Sequence, residues 1–427
     1  VSKHLKDCIV AVIGGGPAGL MAAETVAAGG ARVVIFDRMP SLGRKFLLAG
    51  RGGLNITHSE DAAPFLARYG AAEAKLAPAI AAFGPSALRD WCAALGQATF
   101  VGTSGRVFPQ AMKTSPLLRA WLRRLARDGV EVKLRHRFAG WDGARVRFET
   151  PDGPVSVEAD AVVLALGGAS WPHLGSDGHW VAPVAAQGIG VETLRPANSG
   201  LLVTWSEIFK QRFAGAPLKR IALHYGATSV RGEAILTATG IEGGAVYALG
   251  PFVRAALDAG APFTIAIDLR PDETPDDLAR KLAKPRAKRT LKEHLRRELS
   301  LAPAAIGLVQ EALASAGAGT PDPQTLAALI KHLPLVVTGA TPIARAISTA
   351  GGIRLDDVDD AFMLAKMPGV FVAGEMLDWE APTGGYLLQA CFATGAAAGR
   401  GVLAWLSRGS TLRAAPPDRS RTEDETR

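Results

Sequence analysis

The chain has 427 residues, enough for two or three domains with sizeable cores, and 48% hydrophobic against 21% charged residues reads as globular. Three scattered cysteines, Cys8, Cys92 and Cys391, lack metal or redox spacing, which excludes a disulfide scaffold and predicts no bound metal. The net charge of +8 is concentrated in two places: residues 119–137 hold seven Lys/Arg against two acids, and residues 280–298 hold nine against two.

The first apolar run, "CIVAVI", reads as a short buried strand, and a helix follows through about Ala28. Between them lies "GGGPAG", in which Gly14, Gly16 and Gly19 satisfy G-x-G-x-x-G. The first glycine permits the tight turn, the second lets backbone approach a pyrophosphate, and the third lets helix pack on strand. Pro17 and Ala18 open the helix, whose N-terminal N–H groups and dipole face the phosphates. "ARVVIFD" reads as the second strand and ends on Asp37, 18 residues after Gly19, where a carboxylate accepts from a ribose diol. The order strand, glycines, helix, strand, acid predicts a dinucleotide site. It occurs once, so a second Rossmann domain for a second dinucleotide is not expected.

Next comes "RKFLLAGRGGLNITHS", residues 44–59, too glycine-rich for a good helix and too polar for a core strand. "VEADAVVLALGG" and, near the C-terminus, "GVFVAGE" read as further buried strands ending in glycine. One domain is therefore expected from 1–194 together with a C-terminal return at 346–407. Between them, 195–345 changes texture: "SGLLVTW", "KRIALHYG" and "APFTIAIDL" read as antiparallel strands, and "PDDLARKLAKPRAKRTLKEHLRREL" as charged helix. Residues 408–427 have almost no apolar content and are expected to be disordered. No signal peptide is evident, and the longest apolar stretch, 384–406, is interrupted by Gln389, glycines and Arg400, so no membrane contact is expected. Unpaired cysteines and these absences predict a cytoplasmic location. Oligomeric state leaves no signal.

Four blocks, "VIGGGPAGLMAA", "LGRKFLLAGRGGLNITHS", "VLALGGASWPHLGSDG" and the long "STAGGIRLDD…APTGGYLLQACFATGAAAG", together resemble the BaiN/RdsA family of FAD-dependent, NAD(P)-linked oxidoreductases. The resemblance implies an α/β fold: a Rossmann-like FAD-binding domain of the glutathione-reductase type, split by an inserted β-barrel-like plus helical domain. It carries the phosphate role to Gly14, Gly16, Pro17, Ala18 and Gly19. The ribose role falls to Asp37, beside Arg38, and a basic pair to Arg44 and Lys45. Further cofactor contacts fall on Gly50, Asn55, Gly167, Gly374, Glu375, Gly384, Gly385, Tyr386 and Gln389. This chain departs from relatives that read S-G-G-G-R-C-N: arginine and glycine exchange slots at Arg51, and Leu54 replaces the cysteine. His179 replaces an aspartate.

Family members are linked to reducing carbon–carbon double bonds conjugated to a carbonyl, in steroid-like enones or in uridine of ribosomal RNA. Such chemistry needs an oxyanion donor and an acid. Arg51 and Asn55 are the candidate donors; His173, Tyr386 and His179 are the candidate acids. NAD(P)H is expected to visit transiently as electron donor. The basic segment 280–298 makes nucleic-acid contact, and hence an rRNA substrate, the first expectation. A small-molecule ene reductase or amine oxidase is second, and a flavin-binding protein without turnover third.

Overall fold

The computed structural model describes residues 4–50, 52–317 and 319–409. The chain divides into two compact units, Val1–Arg195 with Ser348–Arg427, and Pro196–Ile347.

The first unit is built on a five-stranded parallel sheet in the order Val370–Val372, Ala161–Leu164, Ile9–Ile13, Arg32–Asp37, Glu131–Leu134. Its three inner strands are almost entirely apolar and β-branched because both faces are covered; Val10, Val12, Val162 and Val163 are fully buried. The helix Pro17–Ala28 starts with proline at its first position and Gly16 at its N-cap, where a missing N–H costs nothing. The terminal helix Tyr386–Ser407 lies along it. Small residues set that distance: a Cβ on Gly395 would sit 2.3 Å from the Ala18 carbonyl oxygen, and one on Gly399 would sit 2.7 Å from Thr25. By length and mean hydropathy, 1.2, this helix meets the requirement for a membrane span, yet 61% of its apolar window is buried in the protein core.

The second unit holds a closed six-stranded barrel, with Leu201–Val203, Gly240–Glu242, Thr228–Thr237, Pro217–Tyr225, Phe263–Asp268 and Leu333–Ala340 in spatial order. Helices Gly244–Asp258, Pro275–Leu282, Leu291–Leu299, Pro303–Ser315 and Pro323–Lys331 share its apolar core. The α/β fold with an inserted barrel and helices is thus as the sequence implied.

One local expectation changes. The segment 44–59 does contain a helix, Arg44–Ala49, because its glycines begin only at Gly50, where the helix ends. Leu54 and Ile56 beyond it are fully buried, so leucine in the relatives' cysteine slot is core packing. The expectation for the tail falls, after Gly409, outside the described residues.

Candidate cofactor site

A cleft at the carboxyl ends of the parallel strands encloses about 980 Å³ of empty space, part of it open to solvent. The glycine turn forms its floor. Gly14 has φ +109, and a Cβ there would sit 2.2 Å from the Ala165 carbonyl oxygen. A Cβ on Gly19 would sit 1.9 Å from the Gly14 carbonyl oxygen. Gly16 differs: a Cβ there would meet no protein atom within 4 Å. Thus the first and third glycines serve packing, while the second faces open space at a helix N-terminus, as an approaching pyrophosphate requires.

Asp37 closes one end. Its carboxylate accepts from the Gly15 N–H at 2.7 Å and the Met39 N–H at 2.8 Å. Burial nevertheless raises its pKa above the ordinary carboxylate value, outweighing those two bonds and the nearby Arg38 and Arg44. Arg38 reaches across to Asp177, which also lies 2.8 Å from His179 Nδ1. Both Arg38 and His179 are lowered in pKa, by loss of hydration first and by neighbouring arginines second.

Along the next wall, Arg44 is anchored to Ser41 Oγ at 3.2 Å, but its buried Nε has no hydrogen-bond partner. Ser176 Oγ, also buried and lining the cleft, is likewise unpartnered. Unpaired buried donors are costly unless a ligand satisfies them. Lys45 spends its charge within the protein: Nζ lies 2.6 Å from both Glu375 Oε2 and Ser170 Oγ, while Glu375 Oε1 accepts from Thr349 N–H at 3.0 Å. Gly167 and Gly374, at φ +70 and +79, turn the chain off two strand ends. A Cβ on Gly374 would press 2.6 Å from Ala18 Cβ. Cys391 borders the cleft, but burial pushes its thiol up to about 12, so it is no nucleophile.

Most of the other expected residues lie elsewhere. Gly50 is a contact point for Thr114, whose Oγ1 would lie 2.1 Å from a Cβ there. Asn55 does not offer an oxyanion donor: its Nδ2 donates to the Thr57 and Val107 carbonyls at 2.8 and 3.1 Å, so the amide pins the loop. Gly384 and Gly385, at φ +140 and +95, form the turn into the terminal helix, and a Cβ on Gly385 would lie 2.6 Å from Thr57 backbone. Tyr386 points into the protein and donates to Glu60, which Arg68 grips at 2.9 and 3.2 Å. Burial, then Glu60, raises the Tyr386 pKa far above normal, which makes it a poor acid. Gln389 is fully buried, donating to the Phe83 carbonyl at 2.6 Å. His173 is exposed on the short turn Pro172–Leu174 and does not line the cleft. His179 does line it, but exposed at the rim. Arg51 lies outside the described residues.

The sequence reading missed Ser176, Asp177, Glu60 and Arg68. Ser176 and Asp177 stand within "GSDGHW", soon after a strand–glycine junction, and that position was the available signal. Glu60 and Arg68 are surface-type residues with no motif to mark them.

A split parallel sheet, an open second glycine at a helix N-terminus, a carboxylate at the end of the second strand and unpartnered donors beside them form a cleft of the dinucleotide-binding kind. The HI0933-like protein Rossmann domain matches residues 8–401. The chain therefore belongs to that family, the BaiN/RdsA family of FAD-dependent oxidoreductases. The 3-dehydro-bile acid delta(4,6)-reductase of Clostridium scindens is 26% identical over 417 residues, spanning 92% of this chain and 98% of that protein. Two solved flavoenzymes share the fold at TM-score 0.51. One is the open form of a flavocytochrome c3 fumarate reductase, 15% identical over 93% of this chain and 78% of that one. The other is the 3-ketosteroid delta1-dehydrogenase of Sterolibacterium denitrificans, 13% identical over 92% and 99%.

Proposed function

We propose that this FAD-dependent oxidoreductase uses NAD(P)H to reduce a carbon–carbon double bond conjugated to a carbonyl in a flat, apolar small molecule. The observation that carries the reading is the match along almost the full length of both chains to a reductase named for such a bond in a bile acid. The residues of the cleft fit FAD. Gly16 leaves room for the pyrophosphate, Arg44 Nε and Ser176 Oγ offer donors to its oxygens, and Asp37 accepts from the adenosine ribose. FAD bound there supplies two-electron hydride chemistry. The Lys45–Glu375 pair, bonded to Ser170 and Thr349, holds the glycine-ended strands at a fixed separation. The Glu60–Tyr386 bond fixes the first residue of the terminal helix, whose N–H groups and dipole stabilise negative charge placed before them.

The RNA reading loses ground on the same physical argument that raised it. In 280–298, Arg280 pairs with Asp277 and Lys281 with Glu273, while Lys284, Arg289 and Arg297 converge on Glu298. Arg286, Lys288, Lys292 and Arg296 keep no ion pair among the described residues, a smaller cationic surface than the sequence count implied.

The test is anaerobic oxidation of NADH or NADPH by the FAD-loaded protein, with cyclohex-2-enone, a fused-ring enone, or a uridine-containing RNA. Stimulation by an enone supports the reading; stimulation by RNA alone overturns it.

A further inference from the structure

Three strand ends meet at the cleft, and the outer two are tied to each other across the middle one. In the sheet, Ile9–Ile13 lies between Ala161–Leu164 and Arg32–Asp37. The middle strand runs out into the glycine turn. Its neighbours run out into residues 165–180 and 38–45, and both segments contribute to the lining of the cleft. Arg38 reaches across to Asp177. A Cβ on Gly175, at φ +110, would lie 2.9 Å from Met39 Cγ. Lys45 Nζ lies 2.6 Å from Ser170 Oγ. The pairing of 38 with 177, 39 with 175 and 45 with 170 means that the segments pass in opposite directions. Together with the glycine turn they complete a ring of protein around the place where Gly16 leaves room for a phosphate.

Both sides of the ring are anchored at their bases. The Gly178 N–H donates to the Gly168 carbonyl at 3.1 Å, and Trp180 Nε1 donates to the Gly167 carbonyl at 2.8 Å, which pinches 168–178 into a closed excursion. Opposite, the Gly43 N–H donates to the Gly15 carbonyl at 2.9 Å. The Asp177 carboxylate is aimed by its neighbour: Oδ1 accepts from the His179 N–H at 3.2 Å, and Oδ2 lies 2.8 Å from His179 Nδ1. Ser170 is fully buried, so its hydroxyl has no bulk water in place of Lys45. With the bases fixed, the parts of the ring that can part without unfolding are the side-chain pairs.

Resting on the FAD reading, we infer that Arg38–Asp177 and Lys45–Ser170 are latches that close these two segments over the FAD diphosphate, and that their opening sets how fast flavin enters and leaves. Each latch joins protein to protein, so it forms with or without flavin. Breaking one therefore speeds entry and release together and leaves the equilibrium affinity unchanged, since a bond common to both states shifts no equilibrium between them. A direct cofactor contact behaves otherwise: its loss speeds release alone and weakens affinity.

The test is stopped-flow binding and release of FAD by the full chain, followed by flavin fluorescence, for wild type, Asp177→Asn and Ser170→Ala. The first keeps the side chain's shape and removes its charge; the second leaves Lys45 its Glu375 partner. Each is expected to raise both rates about 10-fold, the order of one hydrogen bond to a charged group, with Kd unchanged. The double variant is expected to raise both rates about 100-fold, because the two pairs share no partner. The two substitutions lie at opposite ends of the ring, so either one alone carries the test if the other unfolds. Unchanged rates overturn the latches, and so does faster release with a correspondingly weaker Kd, which makes these residues cofactor contacts. A wild type that binds no FAD overturns the FAD reading itself; one that binds FAD with rates indifferent to both substitutions leaves that reading standing and removes only the latches.

Discussion

The two ends of the segment after the second strand behave differently. At its start, Arg44 and Lys45 lie on the cleft with Gly16 and Asp37, the first two as the family resemblance implies and the others as motif spacing predicts. Ten residues on, Asn55 is bonded to backbone carbonyls, and Tyr386 and Gln389, expected beside it, turn inward. The phosphate end is encoded by backbone, through glycines, a strand end and a helix start, so local sequence fixes its geometry. The loop end is encoded by side chains that choose among distant partners, and no spacing rule states whether an amide faces a ligand or a carbonyl 52 residues away.

The largest expected effect breaks the phosphate end alone. Gly16→Val adds a side chain whose Cβ meets no protein atom within 4 Å and which projects into the cradle. The variant should fold with an unchanged apo melting temperature and lose FAD affinity by about 100-fold or more, read by flavin fluorescence; a backbone kept from the phosphates forfeits several charge-assisted bonds. Retained affinity would show that the phosphates do not sit there.

Gly395→Ala makes the converse test. Its methyl would press 2.3 Å from the Ala18 carbonyl oxygen, pushing the terminal helix from the dinucleotide helix. Overpacking of this kind costs about 1–3 kcal/mol, seen as a lower melting temperature in apo and loaded protein alike.

Asp37→Asn should weaken FAD about 10-fold, the order of a lost charge-assisted hydrogen bond. Wild-type affinity should also fall on acidification, and from a higher pH than an ordinary aspartate would impose. Burial raises the Asp37 pKa, so its accepting, ionised form is lost early as pH falls. The asparagine variant should lack this pH dependence.

Asn55→Ala sharpens the loop end. If the amide only pins the loop, stability drops by about 1–2 kcal/mol for two lost hydrogen bonds, measured by urea unfolding, and turnover per bound flavin changes little. A large loss of turnover with unchanged stability would return Asn55 to the substrate. Arg68→Ala should be the mildest, below about 1 kcal/mol because its ion pair is half exposed. It should also let the Glu60 pKa, now lowered chiefly by the Arg68 hydrogen bond, move back up.

Much of the fold was legible because its signals are periodic or punctuated. Apolar β-branched runs ending in glycine marked the parallel strands, and the change of texture after 195 marked an antiparallel insertion. The Gly14–Gly19 turn was legible because a Cβ at Gly14 or Gly19 would run into backbone, and Asp37 because it ends the second strand at the spacing of the motif. What stayed hidden was pairing. Counting charges in 280–298 could not show that Glu298 gathers Lys284, Arg289 and Arg297. Nor could spacing reveal that Lys45 meets Glu375, 330 residues away.

The most direct measurement follows the flavin itself. The purified protein is bleached with NAD(P)H under anaerobic conditions, then mixed with a conjugated enone and with its saturated ketone. The account predicts that the flavin spectrum returns to the oxidised form with the enone and stays bleached with the ketone. A flavin that NAD(P)H reduces but no enone reoxidises would contradict it.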